Sequence, residues 1–225
     1  MTFTPSTSRA RVQTRLADLL GTARIVPVVT LERVEDAVPL ARALLAGGIG
    51  TLEITLRTPA AAGAAAAIAA NVPEAVLGIG TVLNRSDLVR ARELGAAFAL
   101  SPGATPELLD AAAADELPFV PGICTASELM AALARGFDIV KFFPAVPAGG
   151  MAAVRAFAGP FPQARFCPTG GIGEPDAAAW LALSNVVAVG GSWLTPASDI
   201  RNGDWAAITA RARRTVAQLD AEYMP

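Results

Sequence analysis

Short apolar runs of strand-like composition recur along the chain, separated by longer stretches in helical period. Eight strands are predicted, at RIVPVV, TLEITL, AVLGIG, AAFAL, FVPGI, IVKFF, ARFCP and VVAVGG. The intervening helices carry start signals. Thr58-Pro59 precedes an alanine-rich run, Ser86-Asp87 opens DLVRAREL, and Thr105-Pro106-Glu107 opens ELLDAAAA. Thr125 stands three residues before Glu128, a capping-box spacing, ahead of ELMAALA. After Asp204, residues Trp205, Ile208, Ala212, Val216 and Leu219 share one face of a C-terminal helix.

Strand–helix alternation of this kind predicts parallel βα units. Eight of them in this length predict an α/β fold, a single (β/α)8 barrel with an extra N-terminal helix. One domain is expected over 1–225: an N-terminal helical segment over 1–22, a barrel core over 23–200 and a C-terminal helix over 203–222. A doubly wound open sheet is the alternative, since a strand count does not show closure. The run TLEITLRT favours the barrel. Thr51, Glu53, Thr55 and Arg57 alternate with Leu52, Ile54 and Leu56. With helices over the apolar face, the polar face points into a lumen, whereas a buried strand of an open sheet is more often apolar on both faces.

Composition narrows the function. The 225 residues are 53% hydrophobic and 17% charged with a net charge of −2, which gives no electrostatic case for nucleic acid or an anionic membrane. The opening MTFTPSTSRARVQTR has no apolar core of a secretory signal, and AAAGAAAAIAANV is too short to span a bilayer. Cys124 and Cys167 have neither CxxC nor metal-ligand spacing, so two buried, reduced thiols in a cytoplasmic protein are expected. There is no histidine, which excludes Ser-His and Cys-His triads and every imidazole zinc site. Proton transfer falls to carboxylates, Tyr, Cys or a lysine.

That lysine is Lys141, the only one in a chain whose other basic residues are arginine, set inside the apolar run FDIVKFFPAVP. Its face of the strand is predicted to carry Phe137, Ile139 and Phe143. An edge lysine reaching solvent, or half of a buried ion pair, is the ordinary reading of such a residue. Arginine cannot replace lysine as a nucleophile, however, and burial favours the neutral amine that attacks a ketone to form a Schiff base. Lys141 reads as a catalytic amine. Glu53, inward on another strand, is the candidate proton shuttle, with a structural pair to Arg57 four residues on as the alternative. Arg57 also suits a substrate carboxylate. The pairs Gly170-Gly171 in PTGGI and Gly190-Gly191 in VGGSW end the last two strands, where barrels commonly hold phosphate, and Ser192 adds a hydroxyl. Gly149-Gly150 is expected to shape the loop into the next helix. Thr81 in GIGTVLN and Ser101-Pro102-Gly103 in ALSPGAT line the mouth or cap the following helix; the sequence does not decide which.

These motifs resemble the 2-keto-3-deoxy-6-phosphogluconate (KDPG) aldolases, including forms that also cleave 4-hydroxy-2-oxoglutarate (KHG). The similarity runs from about Arg24 to Leu194 through IVPVV, GGIGTLEITLRTPAA, GTVLN, SPGAT, PGICTASE, VKFFPA, GPFPQARFCPTGGI and VGGSWL, in order. The resemblance implies Lys141 as Schiff-base lysine and Glu53 as acid/base, with Arg57 and Thr81 on the pyruvyl carboxylate. It places Pro102 and Phe143 along the pocket, Thr169 on the sugar-acid chain, and Gly170, Gly171, Gly190, Gly191 and Ser192 around the phosphate. It further implies a cofactor-free, metal-free homotrimer whose partners are small molecules, a phosphorylated 2-keto-3-deoxy sugar acid and pyruvate. Two stretches depart from the family's pattern: Ala126 stands where a proline is expected, and Val146-Pro147 replaces acidic or small residues. The rival functions are a phosphate-binding barrel isomerase without a covalent step and a non-catalytic sugar-phosphate scaffold.

Overall fold

In the computed structural model, residues 7–222 are described. Helix α1 (Thr7–Ala23) leads into β1 (Ile25–Val29), α2 (Ala37–Ala46), β2 (Thr51–Thr55), α3 (Ala61–Asn71), β3 (Val76–Gly80) and α4 (Arg85–Glu93). There follow β4 (Phe98–Leu100), α5 (Pro106–Ala113), β5 (Phe119–Val120), β6 (Gly122–Ile123), α6 (Ala126–Leu133), β7 (Ile139–Phe142) and α7 (Gly150–Phe157). The chain ends in β8 (Arg165–Pro168), α8 (Ala177–Leu181), β9 (Val189–Gly191), α9 (Ala197–Asn202) and α10 (Trp205–Glu222). No helix among the described residues is long and apolar enough to cross a membrane.

Most starts lie where the caps predict them. Thr105 Oγ1 accepts from Leu108 N with Pro106 in the first turn, and Thr125 and Glu128 form a reciprocal capping box. Helix α4 begins earlier than Ser86 because Asn84 is the cap, its side chain accepting from Asp87 N. Gly149 takes φ 109° to open α7, the loop-shaping role expected of that pair. The predicted strand FVPGI is divided at Pro121, which has no N–H for the ladder, into β5 and β6. The first six residues of the expected N-terminal segment lie outside the described residues.

All ladders are parallel and strand order follows chain order: β5-β4-β3-β2-β1-β9 in one sheet and β6-β7-β8 in the other. A doubly wound sheet would instead reverse its order at a switch point. The last strand lies beside the first, with Ile25 in register with Val189. Single bridges, Phe166 to Val186 and Thr169 to Gly190, connect β8 with the chain around β9. The α/β fold is thus a curled parallel sheet.

Alternation along the strands builds two cores. Outward residues, among them Leu52, Ile54, Leu77, Ile79, Phe119, Val140 and Phe142, pack under the helices. Inward residues Val26, Phe98, Leu100, Val120, Ile139 and Cys167 form a separate cluster with Leu16 and Leu20 of α1. Helix α1 is also held by polar contacts. The Arg9 guanidinium lies 4.8 Å above the Phe137 ring and donates to Ala112 O, and Gln13 Oε1 accepts from Ile139 N at 3.4 Å. Phe137 therefore does not share the inward face of Lys141, as alternation predicted. It precedes β7 and packs edge-on against Phe119 in the outer core.

Candidate active site

Strand β2 alternates as its sequence predicts, so Glu53 points inward with Thr55 while Leu52 and Ile54 face the helices. Strand β7 does the same with Ile139 and Lys141. The two polar residues meet inside the curled sheet. Lys141 Nζ donates to both oxygens of Glu53, at 3.0 and 3.2 Å, and the residues are only 2% and 1% exposed. Each is paired with the charge that burial demands. Gly80, in register with Thr55, makes room for the carboxylate, because a Cβ there would overlap Glu53 Oε1.

The structural alternative for Glu53, a pair with Arg57, does not form. The Arg57 Nε instead donates to Thr81 Oγ1 at 3.1 Å. Thr81 has φ 63°, a conformation that non-glycine residues seldom adopt, and it follows β3 directly.

Above the ion pair opens a pocket of about 160 Å³ lined by Arg57, Lys141, Phe143, Thr169, Gly170, Gly171 and Ser192, together with Val28, Thr30, Ile172 and Gly191. The Phe143 ring centroid lies 5.6 Å from Lys141 Nζ, within cation–π range. Gly170 and Gly171 have φ 104° and 80°, which glycine alone adopts freely. The other glycine pair is fixed by packing: a Cβ on Gly190 would strike Thr169 Oγ1, and one on Gly191 would strike the Trp193 ring. Thr169 is buried, pairs with Gly190 across the β8–β9 seam and donates to Cys167 O at 3.4 Å.

Four expected site residues are not among the lining residues: Glu53 lies beneath the pocket against Lys141, Gly190 packs against Thr169, and the other two are Thr81 and Pro102. Thr81 stands behind Arg57 as its acceptor, and the Pro102 backbone packs against Gly122. Conversely, Val28, Thr30 and Ile172 escaped the sequence reading. Thr30 had a usable signal, since it continues the inward alternation of Val26 and Val28 past the end of β1.

Of the two cysteines expected to be buried, one is not. Cys124 follows β6 at the open end and is exposed, whereas Cys167 is buried in register with Lys141. Burial pushes the Cys167 thiol up to about 12, against the opposing pull of the Lys141 charge.

The chain that carries this site matches known proteins over most of its length. The family model for KDPG and KHG aldolases matches residues 16–211. The KHG/KDPG aldolase of Escherichia coli K12 is 50% identical over 204 residues, covering 91% of this chain and 96% of that protein. Among solved structures, the KDPG aldolase of Legionella pneumophila, with pyruvate captured as a covalent carbinolamine, is 43% identical with a TM-score of 0.86; the match covers 88% of this chain and 97% of that one. The KDPG aldolase of Zymomonas mobilis ZM4 with 3-phosphoglycerate is 44% identical with a TM-score of 0.85, covering 90% and 96%. This chain belongs to the KDPG and KHG aldolase family.

Proposed function

We propose that this protein is a Schiff-base aldolase. It cleaves 2-dehydro-3-deoxy-6-phosphogluconate to pyruvate and D-glyceraldehyde 3-phosphate, and 4-hydroxy-2-oxoglutarate to pyruvate and glyoxylate. The observation that carries the reading is the buried pair in which Lys141 Nζ lies 3.0 Å from Glu53 at the base of a pocket. The names of the Escherichia coli and Zymomonas relatives support the substrates, and the carbinolamine of the Legionella enzyme supports the covalent step.

A proton passing from Lys141 to Glu53 along the existing hydrogen bond leaves a neutral amine and a neutral acid. Neither then needs water to stabilise a charge. The amine attacks C2 of the keto acid, forming an N–C bond as the carbonyl oxygen takes up a proton. Glu53 returns a proton so that the carbinolamine loses water, and the resulting iminium draws electrons from the C3–C4 bond. Removal of the C4 hydroxyl proton, with Glu53 as base through water, breaks that bond and expels the aldehyde. Protonation of the enamine at C3 and hydrolysis then release pyruvate and the free lysine.

Arg57, its Nε taken by Thr81, turns its outer edge to the pyruvyl carboxylate, a bidentate partner in shape and charge. Phe143 flanks the chain, with Pro102 outside the pocket lining, and Thr169 contacts the sugar-acid carbons and influences stereochemical preference. The N–H groups of Gly170, Gly171, Gly190 and Gly191, with the Ser192 hydroxyl, receive the phosphate.

The fold is read as a closed (β/α)8 barrel with an extra N-terminal helix, in one domain; the β9–β1 ladder and the bridges at Val186 and Gly190 support closure. A cytoplasmic homotrimer follows from family resemblance. The activity is tested by incubating the protein with KDPG and coupling pyruvate release to lactate dehydrogenase. Steady NADH oxidation that depends on Lys141 supports the reading; its absence in folded protein overturns it.

A further inference from the structure

The pocket groups assigned so far are rich in hydrogen-bond donors: the Lys141 ammonium, the Arg57 guanidinium, glycine N–H groups and the Ser192 hydroxyl. Thr30 differs, and the difference follows from a chain of hydrogen bonds beneath it. Thr55 Oγ1 lies 3.0 Å from Val29 O, a carbonyl that can only accept, so the single Thr55 hydroxyl proton is committed there. Thr30 Oγ1 lies 2.9 Å from Thr55 Oγ1. One of the two must donate, and Thr55 has no proton left to give. The Thr30 proton therefore points at Thr55, and what remains of the Thr30 hydroxyl is lone pairs. Thr55 is fully buried and Thr30 half-buried at the pocket wall, so the relay is anchored from below and ends at the substrate space.

We propose that Thr30 is a specificity-determining residue: a hydroxyl locked as an acceptor, which recognises a hydroxyl group on the substrate chain between the Lys141 end and the glycine turns. Its chemical target is a carbon-bound O–H that approaches as donor. A carbonyl, ether or phosphate oxygen at the same place would meet lone pair against lone pair, while a methylene would leave the acceptor unsatisfied. The proposal rests on the aldolase reading and adds to it. KDPG carries hydroxyls on C4 and C5, and 4-hydroxy-2-oxoglutarate only the one on C4.

The test compares the parent enzyme with Thr30→Val, which keeps the shape and removes the oxygen, and with Thr30→Ser, which restores it. Borohydride trapping of pyruvate on Lys141 serves as the control for a folded, reactive site. In Thr30→Val, kcat/KM for KDPG is expected to fall at least about tenfold, the scale of one lost hydrogen bond with its exposed partner left unpaired. Thr30→Ser should recover most of that loss, which a merely structural role of the threonine methyl would not allow. If 4-hydroxy-2-oxoglutarate falls in parallel, the recognised hydroxyl is on C4; if it does not, it is on C5. A Thr30→Val enzyme that traps pyruvate and cleaves both substrates within about twofold of the parent overturns the assignment. So does a Thr30→Ser enzyme as impaired as Thr30→Val. Failure of the parent itself to trap pyruvate would instead strike the aldolase reading, so the two failures are distinguishable.

Discussion

The same strands line two very different spaces. Low in the sheet the inward side chains are Val26, Phe98, Val120 and Ile139, sealed by Leu16 and Leu20 of α1, and Cys167 joins the same cluster at the level of Lys141. One inward step further along come Glu53 and Lys141, then Arg57, Thr30 and the glycine turns of the pocket. On β7 the change from floor to chemistry is the step from Ile139 to Lys141. The floor is an ordinary apolar core, and its usefulness to the site is that it excludes water from one side. Lys141 and Glu53 consequently have each other and the pocket above them. A charge pair in that setting responds strongly to whatever enters, which is what a covalent amine catalyst requires.

If chemistry belongs to the upper layer and stability to the lower, substitutions should separate the two. The largest effect is expected from Lys141→Arg, which keeps a positive charge but cannot form an iminium. Turnover should drop to the no-enzyme background, measured by the coupled pyruvate assay, while the far-UV circular dichroism spectrum is retained. Next comes Glu53→Gln, which keeps the size and loses the proton carrier; kcat should fall by at least about a hundredfold. Substitution in the floor should behave oppositely. Leu16→Ala removes a fully buried side chain of α1 and should cost about 2–5 kcal/mol in a urea melt, with the folded enzyme turning over within about twofold of the parent.

The smallest effect sits at the boundary between the layers. The Cys167 thiol is raised from 9.0 to about 12, so the folded protein holds this proton more tightly than the unfolded chain does. Its contribution to stability is complete below pH 9.0 and is lost progressively as pH climbs toward about 12. At pH 8 a thiol reagent should accordingly modify exposed Cys124 in the native protein and reach Cys167 only after denaturation. Rapid native labelling of both would show that the floor is open to solvent.

Much of the upper layer could be read in the sequence because its residues break an apolar alternation. A lone lysine in IVKFF and a glutamate in TLEITL are conspicuous where a period of two predicts one buried face. The partner of each was harder. Arg57 stands four residues after Glu53, just past β2, and offered the simpler pairing, yet Lys141 meets Glu53 because strand curvature turns two distant inward positions toward each other. Sequence spacing carries no record of that. Phe137 shows the same limit at finer scale, since alternation extended two residues before β7 assigned it to the wrong core. The glycine pairs were legible as a pattern but not as causes. Gly190 and Gly191 are small because Thr169 and Trp193 press on them, contacts made only after folding. The place of Thr30 could have been read from the alternation past β1, but its role could not: that lies in where one proton points, which depends on Thr55 and on the carbonyl of Val29.

The most direct measurement is intact-mass analysis after incubation with pyruvate and borohydride, followed by a peptide digest. With a single lysine in the chain, the reduced adduct can lie only on Lys141 or on the α-amino group. The account predicts one pyruvyl group per chain, on the peptide containing Lys141, and none in Lys141→Arg. A folded protein that binds phosphorylated substrate yet yields no adduct on that peptide would contradict it.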